Sequence, residues 1–197
     1  MTGTAIRLVV ADAGPLIGLA RIDRLDLLHQ LFGRVSIPDA VAAELCLDGP
    51  LPGARALRNA VGQKWLQIVP VTEVLRSLLT VVDRGEAEAI TLAKLKNARL
   101  LIDETIGRRA AQRAGVRVSG TGAVLVRAKE TGAITEVRRE LDALMAAGYR
   151  ISVRLRNAIL MMAGEHPDRD AQGQESHPGM VAAVEAAFPG TSDISCR

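Results

Sequence analysis

Two aspartates follow short apolar runs, at positions where a carboxylate can do chemistry. Asp12 comes directly after the run over residues 6–11, and Asp103 comes directly after the run over residues 99–102. If the two runs are neighbouring parallel strands, both carboxylates lie beyond the carboxyl ends of the strands, where ligands bind in open sheets. Two carboxylates at one edge repel each other unless a cation lies between them, and Mg²⁺ and Mn²⁺ prefer oxygen ligands. The pair therefore predicts a divalent-cation site, with capping of the following helix as the alternative role for each aspartate.

Four further acids lie at or near the start of predicted helices. Glu44 lies one to two turns into a helix, among small and apolar residues. Glu86 and Glu88 open another helix, and Glu104 opens the helix after the second apolar run. Each has an ordinary explanation, because Glu44 fits a solvated helix face and first-turn acids are favoured by the helix dipole. From the residues alone, both the chemical and the ordinary roles stay open.

Other catalytic chemistries have little support in the residue pattern. The three histidines form no HExxH motif, and Cys46 has no partner at the spacing of a zinc site. The tripeptide at 120–122 resembles half of a glycine-rich phosphate loop, but no Lys follows it. A phosphoacceptor receiver domain would need a second acid beside Asp12 and a Lys after the last strand, and the sequence has neither.

The elements that must position these acids alternate along the chain. Strands are predicted over 6–11, 35–37, 66–71, 99–102 and 116–118. Helices are predicted from Pro15 to Gly33 with a break near Asp23, from Pro38 onward, and over 54–61, 73–82, 86–96, 105–114, 122–129, 136–147 and 153–163. This alternation indicates an α/β fold, and right-handed crossovers make it a three-layer α/β/α sandwich around a parallel sheet, with extra C-terminal helices.

Composition fits one globular domain with a basic body. The chain has 197 residues, of which 48% are hydrophobic and 24% charged. It has no apolar run long enough for a membrane span, no signal-peptide pattern, and two cysteines far apart, so we expect a cytoplasmic protein. The net charge is +3 overall and +7 over residues 1–164, which favours an anionic partner such as nucleic acid.

The last segment differs in composition from the rest of the chain. Residues 165–197 carry six acidic and two basic side chains and are rich in Pro, Gly and Ser. We predict a domain over residues 1–164 and an acidic, flexible tail over 165–197. Residues 180–188 are compatible with one more short helix, docked on the body or on a partner.

Five collinear segments resemble the PIN-domain family, most closely a PIN-like subfamily of prokaryotic proteins. They are VVADAGPLIGLARIDRLDLL (9–28), RVSIPDAVAAEL (34–45), VDRGEAEAITLAK (82–94), LLIDETIGRRAAQRAGVRVSGTGAVLVRAKETGAI (100–134) and GYRIS (148–152). The resemblance implies a three-layer α/β/α sandwich and Mg²⁺- or Mn²⁺-dependent endonuclease cleavage of RNA. It also implies a toxin that is neutralised by a small antitoxin protein, and a homodimer.

The resemblance also implies a set of site residues. The acids that would bind the metal and carry catalysis are Asp12, Glu44, Glu86 and Asp103. The alternates or auxiliaries are Glu88 if the register of the third acid differs, Glu104 beside the fourth acid, and a pocket hydroxyl from Thr121 or Ser119.

One departure from the family pattern supports a second hypothesis. Many members follow the first Asp closely with Ser, Thr or Asn, whereas Ala13 and Gly14 follow it here. A protein on the same fold with a weak or inactive pocket could serve as a protein-binding module. For the nuclease hypothesis, the candidate phosphate contacts are Arg84, Arg108, Arg109 and Arg113, with a solvated surface position as the alternative for each.

Overall fold

Five short parallel strands form one sheet at the centre of the molecule. The computed structural model describes residues 8–47, 49 and 52–167 of the chain. The strands are β1 (Val9–Ala11), β2 (Val35–Pro38), β3 (Leu66–Val69), β4 (Arg99–Leu101) and β5 (Arg117–Ser119). Their order in the sheet is β3-β2-β1-β4-β5. All three residues of β1 are buried, as expected for a central parallel strand covered on both faces.

Helices follow the strands in alternation and cover both faces of the sheet, so the predicted three-layer α/β/α architecture is confirmed. In the described part of the chain they are α1 (Ala13–Arg21), α2 (Asp26–Phe32), α3 (Asp39–Glu44), α4 (Ala54–Gly62), α5 (Arg84–Leu95), α6 (Thr105–Arg113), α7 (Thr121–Glu130), α8 (Val137–Ala146) and α9 (Val153–Met162). The predicted break near Asp23 is also confirmed, because this residue has φ 57° between α1 and α2.

The register of the sheet brings the ends of β1 and β4 to one edge. Ala11 pairs with Leu101, and the N–H of Asp12 donates to the Leu101 carbonyl at 2.9 Å. On the other side of β4, the N–H of Ile102 donates to the Ser119 carbonyl at 2.9 Å. These hydrogen bonds therefore align the carboxyl ends of β1, β4 and β5 at the same edge of the sheet.

The predicted helix over 73–82 is wrong. The segment forms consecutive turns, in which Leu78 N–H donates to the Leu75 carbonyl and Val81 N–H donates to the Leu78 carbonyl, both at 2.9 Å. Apolar spacing suggested a helix, but Thr80, Val81 and Val82 are three successive β-branched residues, which lose side-chain freedom in a helix. The backbone N–H of Leu75 is instead bound by a side chain of α5, since it donates to Thr91 Oγ1 at 3.2 Å.

Glu165, where the predicted tail begins, is bound to the body. Its carboxylate accepts from the N–H groups of Val137 at 2.6 Å and Arg138 at 2.8 Å, at the start of α8. Lys129 Nζ lies 2.7 Å from the same carboxylate. The rest of the predicted tail, from residue 168, including the short helix at 180–188, lies outside the described residues. Among the described helices, none has the length and apolarity needed to cross a bilayer.

Candidate active site

Asp12 and Asp103 lie together at the carboxyl edge of the sheet. They follow the neighbouring strands β1 and β4, and they are only 7% and 3% exposed. Asp12 stands at the N-cap position of α1, but its side chain makes no capping hydrogen bond. The N-cap of α6 is Glu104, which accepts from Ile106 N–H at 3.4 Å. Helix capping therefore explains neither aspartate.

Asp103 is held by two hydroxyl groups and one backbone N–H. The Thr121 N–H donates to Oδ1 at 2.8 Å, and the Thr121 hydroxyl donates to Oδ2 at 2.6 Å. The Tyr149 hydroxyl donates to the same Oδ2 at 2.5 Å. The other predicted pocket hydroxyl, Ser119, accepts instead from the Arg99 guanidinium at 2.8 Å. Of the two predicted hydroxyls, Thr121 is thus the one that contacts Asp103.

Glu86 lies in the first turn of α5 and faces Gly107 of α6. It is buried, and its carboxylate packs over Gly107 of α6, where a side chain would collide with it. Repulsion by Asp12 is one of the causes that raise the pKa of Glu86, which places the two carboxylates within electrostatic range of each other. Glu86 therefore belongs to the same acidic cluster as Asp12.

Glu44 reaches this cluster from the end of α3. The residue as a whole is exposed, but its carboxylate lies over Gly85 at the start of α5, which has no side chain to displace it. A side chain at position 85 would therefore collide with the Glu44 carboxylate.

Glu88, the alternate third acid, has a different role from Glu86. It is buried, its Oε2 accepts from Ala40 N–H at 3.1 Å, and its Oε1 accepts from Arg84 Nε at 2.9 Å. Ala40 lies in the first turn of α3, so Glu88 satisfies a backbone donor that the helix leaves unpaired. Glu88 therefore holds α3 against α5 and thereby places Glu44.

Mutual repulsion and loss of hydration disfavour the charged forms of these acids. Burial raises the pKa of Asp12 to about 7, and repulsion by Glu44, Asp83 and Asp103 adds to the effect. Partial desolvation, then repulsion by Asp83 and Glu88, raises the pKa of Glu44 to about 7. Clustered carboxylates whose charged forms are disfavoured in this way are typical of functional sites.

The pKa values of Glu86 and Asp103 are raised as well. Burial first, then repulsion by Asp12, Asp83 and Glu104, raises the pKa of Glu86 to about 8. Burial also raises the pKa of Asp103, against the opposing effect of its hydrogen bonds from Thr121 and Tyr149.

Two residues of the cluster were missed by the sequence analysis. Asp83 is the N-cap of α5, where its side chain accepts from Glu86 N–H at 2.8 Å. The pattern Asp83-x-x-Glu86 is a capping-box signature that could have indicated it. Tyr149 follows α8 and reaches Asp103 across 46 positions of sequence. The sequence offers a weaker indication of Tyr149, which is the single tyrosine of the chain and follows a glycine.

The arginines predicted to contact phosphate separate into two groups. Arg108 is buried, and it donates to the Ile102 carbonyl at 2.6 Å beside Asp103, so its prediction as a phosphate contact is wrong. A guanidinium at this position offsets part of the Asp103 charge. Arg84, Arg109 and Arg113 are exposed and remain candidates.

The donor set fits a hard divalent cation in its chemistry. The acids offer only oxygen, which Mg²⁺ and Mn²⁺ prefer, and a cation would relieve the repulsion among them. Within the described residues, however, no three His, Cys, Asp or Glu side chains stand close enough together to hold one metal ion. Ligation by three of these acids would therefore require side-chain movement.

The α/β/α sandwich with acids beyond β1 and β4 agrees with a match to a known protein family. A family model described as "DUF3368: PIN domain" matches residues 8–165. The chain belongs to the PIN-domain family, whose members are typically nucleases. None of the curated proteins to which the sequence was compared matches it.

Solved structures that are similar to the chain include the following two. A PilT N-terminus domain protein from the archaeon Sulfolobus solfataricus P2 is 14% identical, with a TM-score of 0.43, over 61% of this chain and 92% of that one. A domain of a functionally unknown protein from Methanocaldococcus jannaschii DSM 2661 is 21% identical, with a TM-score of 0.40, over 58% of this chain and 90% of that one.

Proposed function

We propose that the protein is a divalent-cation-dependent endoribonuclease, with Asp12, Glu44, Glu86 and Asp103 as its catalytic acids. The observation that carries this proposal is the proximity of Asp12, Glu44 and Glu86, which come from three different elements. Beyond the effect of burial, repulsion by Glu44 raises the pKa of Asp12, and repulsion by Asp12 raises the pKa of Glu86. Membership of the PIN-domain family, which generally includes nucleases, supports the same activity.

In the proposed reaction the acids and the arginines would have different functions. When bound, Mg²⁺ or Mn²⁺ supplies an electrophile that polarises the phosphodiester and activates water. Asp12, Glu44 and Glu86 would hold the cation, and Asp103 would join them in an orientation set by its hydrogen bonds. The exposed arginines would bind neighbouring phosphates without reading the bases.

The wider role is also a proposal. On the resemblance to prokaryotic PIN-like toxins, we propose a cytoplasmic toxin that acts as a homodimer and is neutralised by a small antitoxin protein. Sedimentation velocity of the purified chain tests the dimer. A sedimentation coefficient that stays at the monomer value across micromolar concentrations would contradict it.

The competing function is a protein-binding module with an inactive pocket. Two observations favour it: Asp103 already accepts three hydrogen bonds, and no three potential ligands of the described chain converge on one point. This module would bind no divalent cation specifically at the four acids, so cation binding separates the two functions.

Cleavage of RNA tests the nuclease proposal. Purified protein, freed of any co-purified partner, is incubated with structured RNAs in Mg²⁺, Mn²⁺ or EDTA, beside the double variant Asp12→Asn/Asp103→Asn. The matched control is Asp26→Asn, which changes an exposed aspartate of α2. We expect cation-dependent cleavage by the wild type and the control, and none by the double variant. Equal cleavage by the double variant would contradict the assignment.

A further inference from the structure

Tyr149 enters the acidic cluster from the loop between α8 and α9. Its backbone N–H donates to the Leu144 carbonyl at 2.9 Å, which fixes the residue directly after α8. Gly148 before it has φ +90°, a conformation that favours glycine and turns the chain toward α1. The tyrosine ring is buried at this point.

Two glycines of α1 make room for the tyrosine ring. A Cβ at Gly18 would lie 2.7 Å from Tyr149 Cε2, closer than packed atoms approach. At Gly14, one turn earlier, a Cβ would lie 3.7 Å from the Tyr149 hydroxyl oxygen and 3.9 Å from Asp12 Oδ2. The hydroxyl is thus aimed into the space beside both aspartates.

The hydroxyl determines which oxygen of Asp103 remains available. Oδ2 accepts from both Thr121 and Tyr149, at 2.6 and 2.5 Å, which uses its two acceptor positions. Oδ1 accepts from the Thr121 N–H at 2.8 Å and keeps more of its acceptor capacity. Oδ1 lies beside Gly120 and Arg108, and a cation bound at its remaining acceptor position would leave both hydroxyl bonds in place.

We propose that Tyr149 is a positioning residue of the cation site, whose hydroxyl holds Oδ2 so that Asp103 presents Oδ1 to a divalent cation. The inference rests on the proposed function, because it concerns the cation of that ribonuclease. Hydrogen-bonded partners of metal ligands change metal affinity by about 10- to 100-fold when they are lost. Removal of this one hydroxyl should therefore weaken cation binding by about tenfold or more.

Cation affinity of Tyr149→Phe is the first test. Titration calorimetry with Mn²⁺ compares the wild type, Tyr149→Phe, and Thr131→Val, a control that removes an exposed hydroxyl on the far end of α7. Thermal denaturation establishes that the variants are folded. We expect about tenfold weaker binding by Tyr149→Phe alone. Equal binding would overturn the inference, and tighter binding would show that the hydroxyl obstructs the site.

A spectroscopic signal distinguishes positioning from a purely structural role. Because the chain has one tyrosine, protein labelled with 3-fluorotyrosine gives a single ¹⁹F resonance from residue 149. Mg²⁺ should shift this resonance, saturating at the concentration found by calorimetry, and should not shift it in Asp103→Asn. An unshifted resonance at saturating Mg²⁺ would overturn the inference. If the wild type binds cation and cleaves RNA while Tyr149→Phe matches it, this inference alone fails; if the wild type binds no cation, both fail.

Discussion

Glu86 and Glu88 lie two positions apart on α5, yet their carboxylates serve different purposes. Glu86 stands against Gly107 within reach of Asp12, whereas Glu88 binds the start of α3 and Arg84. The side chains diverge because residues two apart on a helix do not share a face. The sequence left these two acids as alternates for one role, and the structure gives each of them different contacts.

A matched pair of isosteric substitutions tests this division. Glu86→Gln should lower RNA cleavage by about 100-fold or more, since it removes one charge that would hold the cation. Glu88→Gln keeps an oxygen that can accept from Ala40 N–H, so cleavage should fall by less than about tenfold. Single-turnover cleavage rates at saturating Mg²⁺ measure both. The division would be wrong if Glu88→Gln were the more damaging change.

Among the secondary-structure elements, α1 has a central position in the site, because Asp12 precedes it and Tyr149 packs against it. Asp12 directly precedes it, and its glycines at positions 14 and 18 receive Tyr149, which in turn binds Asp103. Residues four apart lie on one helix face, so the two glycines form a single smooth strip. Tyr149 therefore links the C-terminal helices to α1, in addition to the ion pair between Arg24 and Glu140 of α8 at 3.1 Å.

Gly18→Ala should destabilise the protein by about 1–3 kcal/mol, because the added methyl group collides with the Tyr149 ring. The control is Gly62→Ala in α4, where an added Cβ meets nothing within 4 Å. That substitution should stabilise by about 0.5–1 kcal/mol, since alanine favours helix. Chemical denaturation measures both. A stable Gly18→Ala variant with unchanged tyrosine fluorescence would contradict the packing described for α1.

The sequence predicted most elements because each carries a local signal. Apolar runs marked the five strands, and glycine or Asp23 marked the ends of several helices. The helix over 73–82 was wrongly predicted because apolar spacing cannot reveal that Leu75 donates to Thr91 of α5. That bond joins residues from two elements, and only the assembled fold brings them together.

The sequence was sufficient to identify the candidate acids of the site. It was insufficient to predict which side chains contact them. Strand ends indicated Asp12 and Asp103, and the family resemblance added Glu44 and Glu86. Tyr149 could not be predicted, since its contact with Asp103 depends on the path of α8 and on glycines in α1. The burial of Arg108 could not be predicted from the sequence either, because its partner is the backbone carbonyl of Ile102, which follows β4.

Across the whole molecule, the acidic cluster makes stability depend on pH. The pKa values of Asp12, Glu44 and Glu86 are raised to about 7, 7 and 8 in the folded protein, above the ordinary carboxyl values of the unfolded chain. Between about pH 4 and pH 8 the folded state thus binds more protons than the unfolded state. The stabilising contribution is present at low pH and is lost as the pH rises through 7 to 8.

The free energy of unfolding in EDTA should therefore fall between pH 5.5 and pH 8.5, by about 2–4 kcal/mol. Most of this fall comes from the buried Asp12 and Glu86, because solvent screens the exposed Glu44. Asp12→Asn should show a smaller fall, because one of the repelling groups is gone, while the surface control Asp26→Asn should keep the full dependence. Mg²⁺ should restore stability at pH 8.5. Urea denaturation at a series of pH values provides the measurement, and stability that rises over this range would refute the electrostatic account.

Proton release on cation binding tests most directly whether the acidic cluster is a metal centre. Titration calorimetry with Mn²⁺ at pH 7, in two buffers of different ionisation enthalpy, counts the protons displaced. Since the acids hold protons near this pH, we predict release of about one to two protons per cation bound. The Asp12→Asn/Asp103→Asn variant should bind no cation. Cation binding without proton release would contradict the electrostatic account of the cluster, and no binding by the wild type would contradict the metal centre and favour the protein-binding module.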